Sequence, residues 1–191
     1  MQWKKEREEV VKIAKRIYKK GLVTGCSGNI SMRLKENLIA ITAKSKSYNT
    51  MKASDVVIID FNENVIEGDR EPSSERKLHI EIYKAREDVN AVIHTHSTFA
   101  CTMAALNLSL PSILDEQMDV LGGQIDVTKY APSGTKELAA EVVKALGNKK
   151  AVFLSRHGAV SVGYNMEEAF SVCELLEKLC KIYILIRLIQ R

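Results

Sequence analysis

Two histidines, His94 and His96, stand two residues apart where the apolar run 91–93 ends. Side chains at alternate positions of an extended strand point to the same side, so both imidazoles would face one point. Imidazole nitrogen is a preferred ligand of zinc and of the neighbouring first-row divalent ions. The spacing therefore indicates the beginning of a metal site, which needs further ligands.

Two more candidate ligands lie elsewhere in the sequence. His157 follows a second apolar run, 151–154, and Glu75 follows Pro72 and two serines, a pattern typical of a helix start. We predict that Glu75 lies in the first turn of that helix. A single histidine in an apolar segment is usually an ordinary core residue, but two apolar runs that both end in histidine favour a metal site.

The fourth histidine of the chain, His79, follows Glu75 by four residues and would share its helix face. Three roles are open to it: a fourth metal ligand, a hydrogen-bond partner behind a ligand, or a packed or polar helix residue. The last of these is the favoured interpretation.

The composition sets limits on the class of protein. With 191 residues, 46% hydrophobic and 27% charged, the chain fits one globular domain over 1–191, and disordered or fibrous classes are excluded. The net charge of +4 is mild, so nucleic acid is not expected as a partner. No membrane is expected either, because no apolar stretch approaches the roughly 20 residues that span a bilayer. We predict a cytoplasmic protein whose four cysteines are reduced thiols, since none are spaced Cys-x-x-Cys.

Hydrophobic periodicity predicts a mixed α/β domain with antiparallel pairing near its start. Predicted helices cover 3–20, 74–86, 97–107, 134–146 and 166–189, and predicted strands cover 30–34, 38–42, 56–60, 90–94, 124–128, 150–155 and 159–162. The last helix becomes apolar nearly all round over 182–189. That pattern indicates either a contact with a second subunit or burial within one chain.

Three segments carry groups that bind phosphate. They are the Gly25–Asn29 loop, the pair Lys44 and Ser45 after a strand, and the pair Ser73 and Ser74 at a helix start. Backbone amides, hydroxyls and a lysine suit an anion, and a helix N-terminus adds partial positive charge. Each segment taken alone is more often a simple turn or cap. Their connection to Glu75 favours an anion site beside the metal.

These motifs, in this order, resemble the class II aldolase and adducin-head family over nearly the whole chain. The matching segments are Gly21-Leu22, Gly28-Asn29-Ile30-Ser31, Pro72-Ser73-Ser74-Glu75, His94-Thr95-His96 and His157-Gly158. The resemblance implies a single three-layer α/β/α domain around a largely antiparallel sheet. It also implies a homotetramer with sites at the subunit interfaces.

The resemblance also assigns roles to residues. It implies Zn²⁺, or another divalent first-row metal, on His94, His96, His157 and Glu75. Glu75 doubles as the catalytic base, and a substrate phosphate lies on Gly28, Asn29, Lys44, Ser45, Ser73 and Ser74. The implied activity is metal-dependent, reversible cleavage of a ketose 1-phosphate, of the L-fuculose 1-phosphate type, to dihydroxyacetone phosphate and a small aldehyde such as lactaldehyde. A divalent ion would act there as a Lewis acid.

One departure from the family pattern concerns the general acid. The family members that cleave L-fuculose 1-phosphate carry a tyrosine where this chain has Asp115, followed by Glu116. A carboxylic acid donates a proton if burial raises its pKa, so we hypothesise Asp115 or Glu116 as the general acid. The alternative interpretation is an ordinary acidic residue at a surface turn or helix start.

Three other functions fit the same family. Sugar-phosphate 4-epimerases use the same histidines but resemble an aspartate at the position of Glu75, and methylthioribulose-1-phosphate dehydratases also use zinc and ketose phosphates. Adducin heads are binding modules without the metal ligands. The intact set of Glu75 and three histidines favours an enzyme over such a module.

Overall fold

The computed structural model describes residues 2–35 and 37–190, and seven strands form one sheet in the order β4-β3-β2-β1-β5-β7-β6. Every neighbouring pair is antiparallel. The strands are β1 Asn29–Arg33, β2 Leu38–Thr42, β3 Val56–Asp60, β4 Val65–Glu67, β5 Ala91–Thr95, β6 Ala151–Leu154 and β7 Gly158–Gly163. The predicted antiparallel sheet is confirmed.

Helices cover both faces of this sheet. In the described part of the chain they are α1 Lys4–Lys19, α2 Arg76–Ala85, α3 Thr98–Ala105, α4 Asp115–Leu121, α5 Lys136–Leu146 and α6 Met166–Ile189. Helices α2 and α5 pack on one face, and α1, α3 and α6 pack on the other. The three-layer α/β/α architecture is therefore confirmed. The expectation that 1–191 forms one domain stays a prediction.

The strand sequences explain the two layers. In β2, Ile39 and Ile41 pack against α2 and α5, whereas Ala40 between them faces α1 and α6. Alternate strand residues point to opposite faces, and helices cover both faces here, so most strands carry apolar residues at consecutive positions. Strand β1 is an exception, with Asn29 and Ser31 on one side. Apolar side chains on both faces of the sheet thus pack it between its two helical layers.

The predicted strand 124–128 is wrong. Ile125 pairs with Leu110 in one isolated bridge, and Val127 pairs with Phe153 in another. Because these two residues pair with different segments, 124–128 forms no continuous ladder of backbone hydrogen bonds with either of them. Its apolar residues are still drawn inward, because Ile125 is fully buried.

Strand β4 and helix α4 were not predicted from the sequence, and helices α2 and α5 each start two residues later than predicted. Strand β4 has only three residues, with Val65 and Ile66 about half exposed at the sheet edge. Helix α4 has only seven residues, which is too short to show a clear apolar period. Helix α2 begins at Arg76, so Glu75 is the residue before it and not part of its first turn.

The end of α6 is exposed. Its last two apolar residues, Leu188 and Ile189, are 57% and 84% exposed, so the interpretation of burial within one chain is wrong for this end. Among the described residues, no helix combines the length and the apolar character that crossing a bilayer requires. The four cysteines are free thiols.

Candidate metal and anion site

Sheet pairing brings three of the histidines together. Strand β5 carries His94 and leads into His96, and it pairs antiparallel with β7, where Thr95 lies opposite Ala159. His157 occupies the tight turn just before β7, so it lies beside the end of β5. The three imidazole ring centroids are 4.7, 4.7 and 4.9 Å apart.

The carboxylate of Glu75 completes the cluster. Its Oε2 lies 3.2 Å from Nε2 of His94, and its Oε1 lies 3.6 Å from Nε2 of His157. The Nε2 atoms of His94 and His96 are 2.9 Å apart. The loop before α2 therefore brings the fourth group to the point where the three imidazoles converge, as the sequence predicted.

These distances fit one bound divalent ion. Ligand atoms about 2.0–2.1 Å from a tetrahedral zinc lie roughly 3.3 Å from one another. The separations of 2.9, 3.2 and 3.6 Å bracket that value, and the candidate atoms of His94, His96 and His157 all lie within 4.8 Å of one another. The three imidazoles thus form a candidate metal site, and the Glu75 carboxylate contacts two of them.

The hydrogen bond behind His94 fixes which nitrogen is available. Its Nδ1 lies 3.0 Å from the carbonyl oxygen of Ala159, which only accepts hydrogen bonds, so Nδ1 carries the proton. In the neutral ring, Nε2 then presents a lone pair to the cluster. A backbone carbonyl behind a metal-ligating histidine is the usual way in which such a ring is oriented.

Burial keeps the other two imidazoles neutral. It lowers the pKa of His96 to about 4, with further lowering by His94 and His157. Burial, followed by the neighbouring His94, also lowers the pKa of His157. Neutral rings at physiological pH carry the lone pairs that a metal ion requires.

Glu75 is held as a carboxylate despite its burial. Burial disfavours its charged form, but the electrostatic effect of the neighbouring His94 and His157 imidazoles and the hydrogen bond from Asn29 outweigh burial and hold its pKa below the ordinary value. Asn29 donates to Oε2 at 2.8 Å, and Ser133 donates to Oε1 at 2.9 Å. Both carboxylate oxygens are therefore oriented.

Two glycines allow the close approach of the segments. A Cβ atom at Gly158 would overlap the carbonyl oxygen of Thr95 and lie 2.9 Å from Cδ2 of His96. A Cβ atom at Gly28 would overlap the carbonyl oxygen of His94. The absence of side chains at these positions lets β1 and the β6–β7 turn pack directly on the end of β5.

Gly28→Ala is expected to destabilise the fold and to weaken metal binding. Gly25 offers a matched control, because both residues have a left-handed φ, but a Cβ at Gly25 meets nothing within 4 Å. Gly25→Ala carries only the conformational cost, about 1 kcal/mol. Gly28→Ala adds a clash worth about 1–3 kcal/mol. Equal losses in the free energy of unfolding, measured with urea, would contradict this packing.

The six predicted phosphate ligands lie around one cavity. Its volume is about 190 Å³, and it is lined by Cys26, Gly28, Asn29, Ala43, Lys44, Ser45, Ser73, Ser74 and Glu75. Glu75 thus lines the cavity and also belongs to the metal-ligand cluster. Lys44 is exposed, and its Nζ donates to Glu71 at 2.9 Å, so an incoming anion competes with Glu71 for this charge.

Sequence reasoning missed Ser133 altogether. Its segment joins 124–128 to α5, and a Cβ at the next residue, Gly134, would lie 2.9 Å from the carbonyl oxygen of Ser74. This close approach brings the Ser133 hydroxyl to Glu75. The sequence signal was the serine–glycine pair before a capped helix, which by itself reads as an ordinary turn.

The two candidate general acids, Asp115 and Glu116, lie in the first turn of α4. Asp115 is exposed, and Oε1 of Glu116 accepts a hydrogen bond from Lys178 at 2.6 Å. None of the hydrogen bonds or ion pairs found in 2–35 and 37–190 links either carboxylate to the three imidazoles. Their role as general acid stays a prediction.

The fold and the site together define a class of protein, because a layered antiparallel α/β domain with this cluster is the architecture of class II aldolases. The chain belongs to the family described as "Class II Aldolase and Adducin N-terminal domain", whose model matches residues 8–184. A solved structure titled L-fuculose 1-phosphate aldolase is 37% identical and superposes with a TM-score of 0.94, covering 98% of this chain and 88% of that chain.

Two similar curated proteins are named as sugar-phosphate aldolases. The chain is 39% identical over 180 residues to the 5-deoxy-D-ribulose 1-phosphate aldolase of Bacillus thuringiensis serovar kurstaki, covering 94% of this chain and 84% of that protein. It is 35% identical over 164 residues to the L-fuculose phosphate aldolase of Escherichia coli K12, covering 86% and 75% respectively.

Proposed function

We propose that the chain is a divalent-metal-dependent aldolase that reversibly cleaves a ketose 1-phosphate to dihydroxyacetone phosphate and a small aldehyde. The observation that carries the proposal is the position of Glu75, which contacts the imidazole cluster and lines the anion cavity. A phosphorylated ketose bound there would present its reacting carbons to Glu75 with its phosphate held nearby.

His94, His96 and His157 would hold the metal, with Glu75 as the fourth ligand. Histidine-rich ligation favours zinc over the other first-row divalent ions, although several of them suit the same donors. A bound ion would supply Lewis-acid stabilisation of the negative charge that cleavage develops on the carbonyl and adjacent hydroxyl oxygens of the substrate.

Glu75 would move the proton at the carbon next to the carbonyl. In cleavage, the C4 hydroxyl loses a proton, the C3–C4 bond breaks, C4 becomes the aldehyde carbon, and C3 gains a proton. Glu75 would deliver the proton to C3 and remove it in the reverse direction. Asp115 or Glu116 is the candidate group for the proton at the C4 oxygen.

The cavity lined by Lys44, Ser45, Ser73 and Ser74 would bind the substrate phosphate. Lys44 supplies the positive charge, and the backbone and hydroxyl groups supply hydrogen bonds. Glu71 holds Lys44 when no phosphate is bound, so the strength of binding depends on this competition.

Lys44→Ala is expected to raise KM for the ketose phosphate about tenfold with little change in kcat. A hydrogen bond to a charged group contributes about 1.5–3 kcal/mol, and the low end of this range applies because Lys44 is exposed. The phosphate does not react, so the contact should stabilise the bound substrate and the transition state alike. Glu71→Gln is the matched opposite change, because it frees Lys44 and is expected to lower KM. Steady-state kinetics, with inorganic phosphate as a competitive inhibitor, measures both. A higher KM in Glu71→Gln would contradict the competition.

Two substrates deserve direct comparison. The resemblance favours L-fuculose 1-phosphate, which would release lactaldehyde, whereas the relative at 39% identity bears the name 5-deoxy-D-ribulose 1-phosphate aldolase. Breaking the C3–C4 bond of that five-carbon sugar would release acetaldehyde. The epimerase and dehydratase alternatives have less support, because this chain has glutamate at position 75 and its curated relatives are named as aldolases.

A coupled assay of dihydroxyacetone phosphate release from both sugars tests the proposal. Release from either substrate would support the aldolase, and the ratio of the two kcat/KM values would define the aldehyde preference. No release from either, in metal-replete protein, would reject the aldolase in favour of the epimerase or the dehydratase.

The proposal includes a homotetramer with sites at the subunit interfaces. The exposed apolar end of α6, with Leu188 and Ile189, supports a contact with another subunit. Light scattering of the purified protein tests it, and a monomeric mass would contradict it. The cytoplasmic location stays a prediction.

A further inference from the structure

Helix α2 and strand β1 present polar residues at matching intervals. Glu75, His79 and Tyr83 are spaced by four residues along the helix and the residue before it, so they share one face. Asn29 and Ser31 alternate along β1 and share one side of the strand. Four helical residues advance about 6.0 Å and two strand residues about 6.6 Å, so the two rows interleave.

Hydrogen bonds join the interleaved residues into one chain. Tyr83 OH lies 2.8 Å from Ser31 Oγ, and Ser31 Oγ lies 2.6 Å from His79 Nδ1. His79 Nε2 contacts Asn29 Oδ1, and Asn29 Nδ2 lies 2.8 Å from Glu75 Oε2. We call these five residues the polar row, and it ends on the carboxylate of the metal-ligand cluster.

The direction of every hydrogen bond in the polar row follows from its end. The Glu75 carboxylate only accepts, so the Asn29 amide must direct its NH₂ group to it and its oxygen to His79. His79 must then donate from Nε2, which leaves Nδ1 as an acceptor for the Ser31 hydroxyl. The Ser31 hydroxyl already donates its one hydrogen to His79, so it accepts a hydrogen bond from the Tyr83 hydroxyl. All donors thus point toward Glu75.

The surroundings of His79 determine both its protonation state and the partners of its two ring nitrogens. Its side chain is fully buried, and burial, followed by the neighbouring His94, lowers its pKa to about 3, so the ring is neutral. Both ring nitrogens are engaged, which is inconsistent with a role as a fourth metal ligand. The favoured interpretation of a packed or polar helix residue is also incomplete, because His79 contacts the amide that orients Glu75.

We propose that His79, locked as the neutral Nε2–H tautomer by Ser31, is a positioning residue that orients the Asn29 amide and, through it, the carboxylate of Glu75. This inference rests on the proposed function where it concerns turnover. Asn29 would then have two roles. One hydrogen of its NH₂ group bonds to Glu75, and the other would serve the anion cavity that Asn29 lines. Glu75 and the phosphate would then be positioned by the same amide.

The tautomer is tested without any assay of activity. Long-range ¹H–¹⁵N correlation spectra of zinc-loaded protein with ¹⁵N-labelled histidine distinguish a protonated from an unprotonated ring nitrogen, and His79→Gln assigns the signal. We expect a single neutral ring protonated at Nε2. Protonation at Nδ1, or a cationic ring, would overturn the proposal even if the protein is an active aldolase.

Turnover and zinc affinity test the positioning role. His79→Leu removes the donor to Asn29 and is expected to lower kcat about 10–100-fold, with a smaller change in KM and weaker zinc binding. His79→Gln places an amide N–H where Nε2 lies and is expected to restore most of both. Ser161→Ala is the control, because its hydroxyl is buried on β7 outside the polar row.

A double-mutant cycle separates positioning from general packing. If His79 acts through Glu75, His79→Leu should not lower the residual rate further in a Glu75→Gln background. Equal losses in both backgrounds, or a wild-type kcat in His79→Leu, would overturn the proposal. If His79→Leu does not fold, Ser31→Ala takes its place in the same cycle. If the wild type releases no dihydroxyacetone phosphate, the proposed function fails, whereas the tautomer and zinc affinity still decide this inference.

Discussion

Glu75→Gln is expected to lower kcat by about 10²–10⁴-fold, the range typical of a lost general acid–base group. The amide is nearly the same size as the carboxylate, but it does not accept and return the proton at C3. The three imidazoles remain in place, so the variant should still bind metal when zinc is saturating, although the loss of the carboxylate ligand weakens the affinity. Initial rates of dihydroxyacetone phosphate release, together with metal content per chain, measure both quantities.

The hydrogen bonds around Glu75 provide a control for the Glu75→Gln variant. Ser133 and Asn29 donate to the two carboxylate oxygens, so the glutamine NH₂ group would face a donor on one side. Ser133→Ala is a control that keeps the carboxylate and is expected to lower kcat only a few-fold. Loss of metal with an unchanged rate per bound ion in Glu75→Gln would refute a role in proton transfer.

His94→Ala is expected to remove most of the metal and, with it, most of the activity. Changes to groups behind a ligand typically weaken metal binding about 10–100-fold, so loss of a ligand itself should cost at least about 100-fold. His94 is fully buried and is the ring that Ala159 orients, so no solvent-exposed group replaces it readily. Equilibrium dialysis against zinc measures the affinity.

Excess metal provides the control for His94→Ala. If the lost activity reflects lost metal, zinc added well above the wild-type dissociation constant should restore part of the rate. Wild-type metal content in His94→Ala would contradict the assignment of His94 as a ligand. An unchanged rate would go further and favour the binding-module alternative.

Much of the candidate site could be predicted from local sequence, because its ligands end strongly apolar strands. His94 and His157 each follow a run that has to be buried, and antiparallel pairing of β5 with β7 then brings the two runs together. Glu75 was found from a helix-start pattern, although α2 begins one residue after it. The anion site was predicted from the amides, hydroxyls and lysine of three segments and from the connection of one of them to Glu75.

The remaining features depend on contacts between distant segments. The hydroxyl of Ser133 reaches Glu75 only because the loop before α5 packs on the Ser73–Ser74 segment. The polar row was visible in part, since the spacing of Glu75, His79 and Tyr83 is regular. Its hydrogen bonds form only because β1 lies beside α2, and the periodicity of either segment does not predict that packing.

Wrong or missing elements have a common physical cause. The segment 124–128 is apolar and β-branched enough to indicate a strand, but its backbone partners are divided between Leu110 and Phe153. Helix α4 and strand β4 are short, so tertiary packing and not their own periodicity decides their structure.

The most direct test of the central claim is dihydroxyacetone phosphate release from L-fuculose 1-phosphate and 5-deoxy-D-ribulose 1-phosphate after chelation and after return of zinc. We predict that release is lost when the chelator removes the metal and recovers as one zinc ion per chain is restored. Release that persists in fully metal-free protein would contradict a mechanism built on His94, His96, His157 and Glu75.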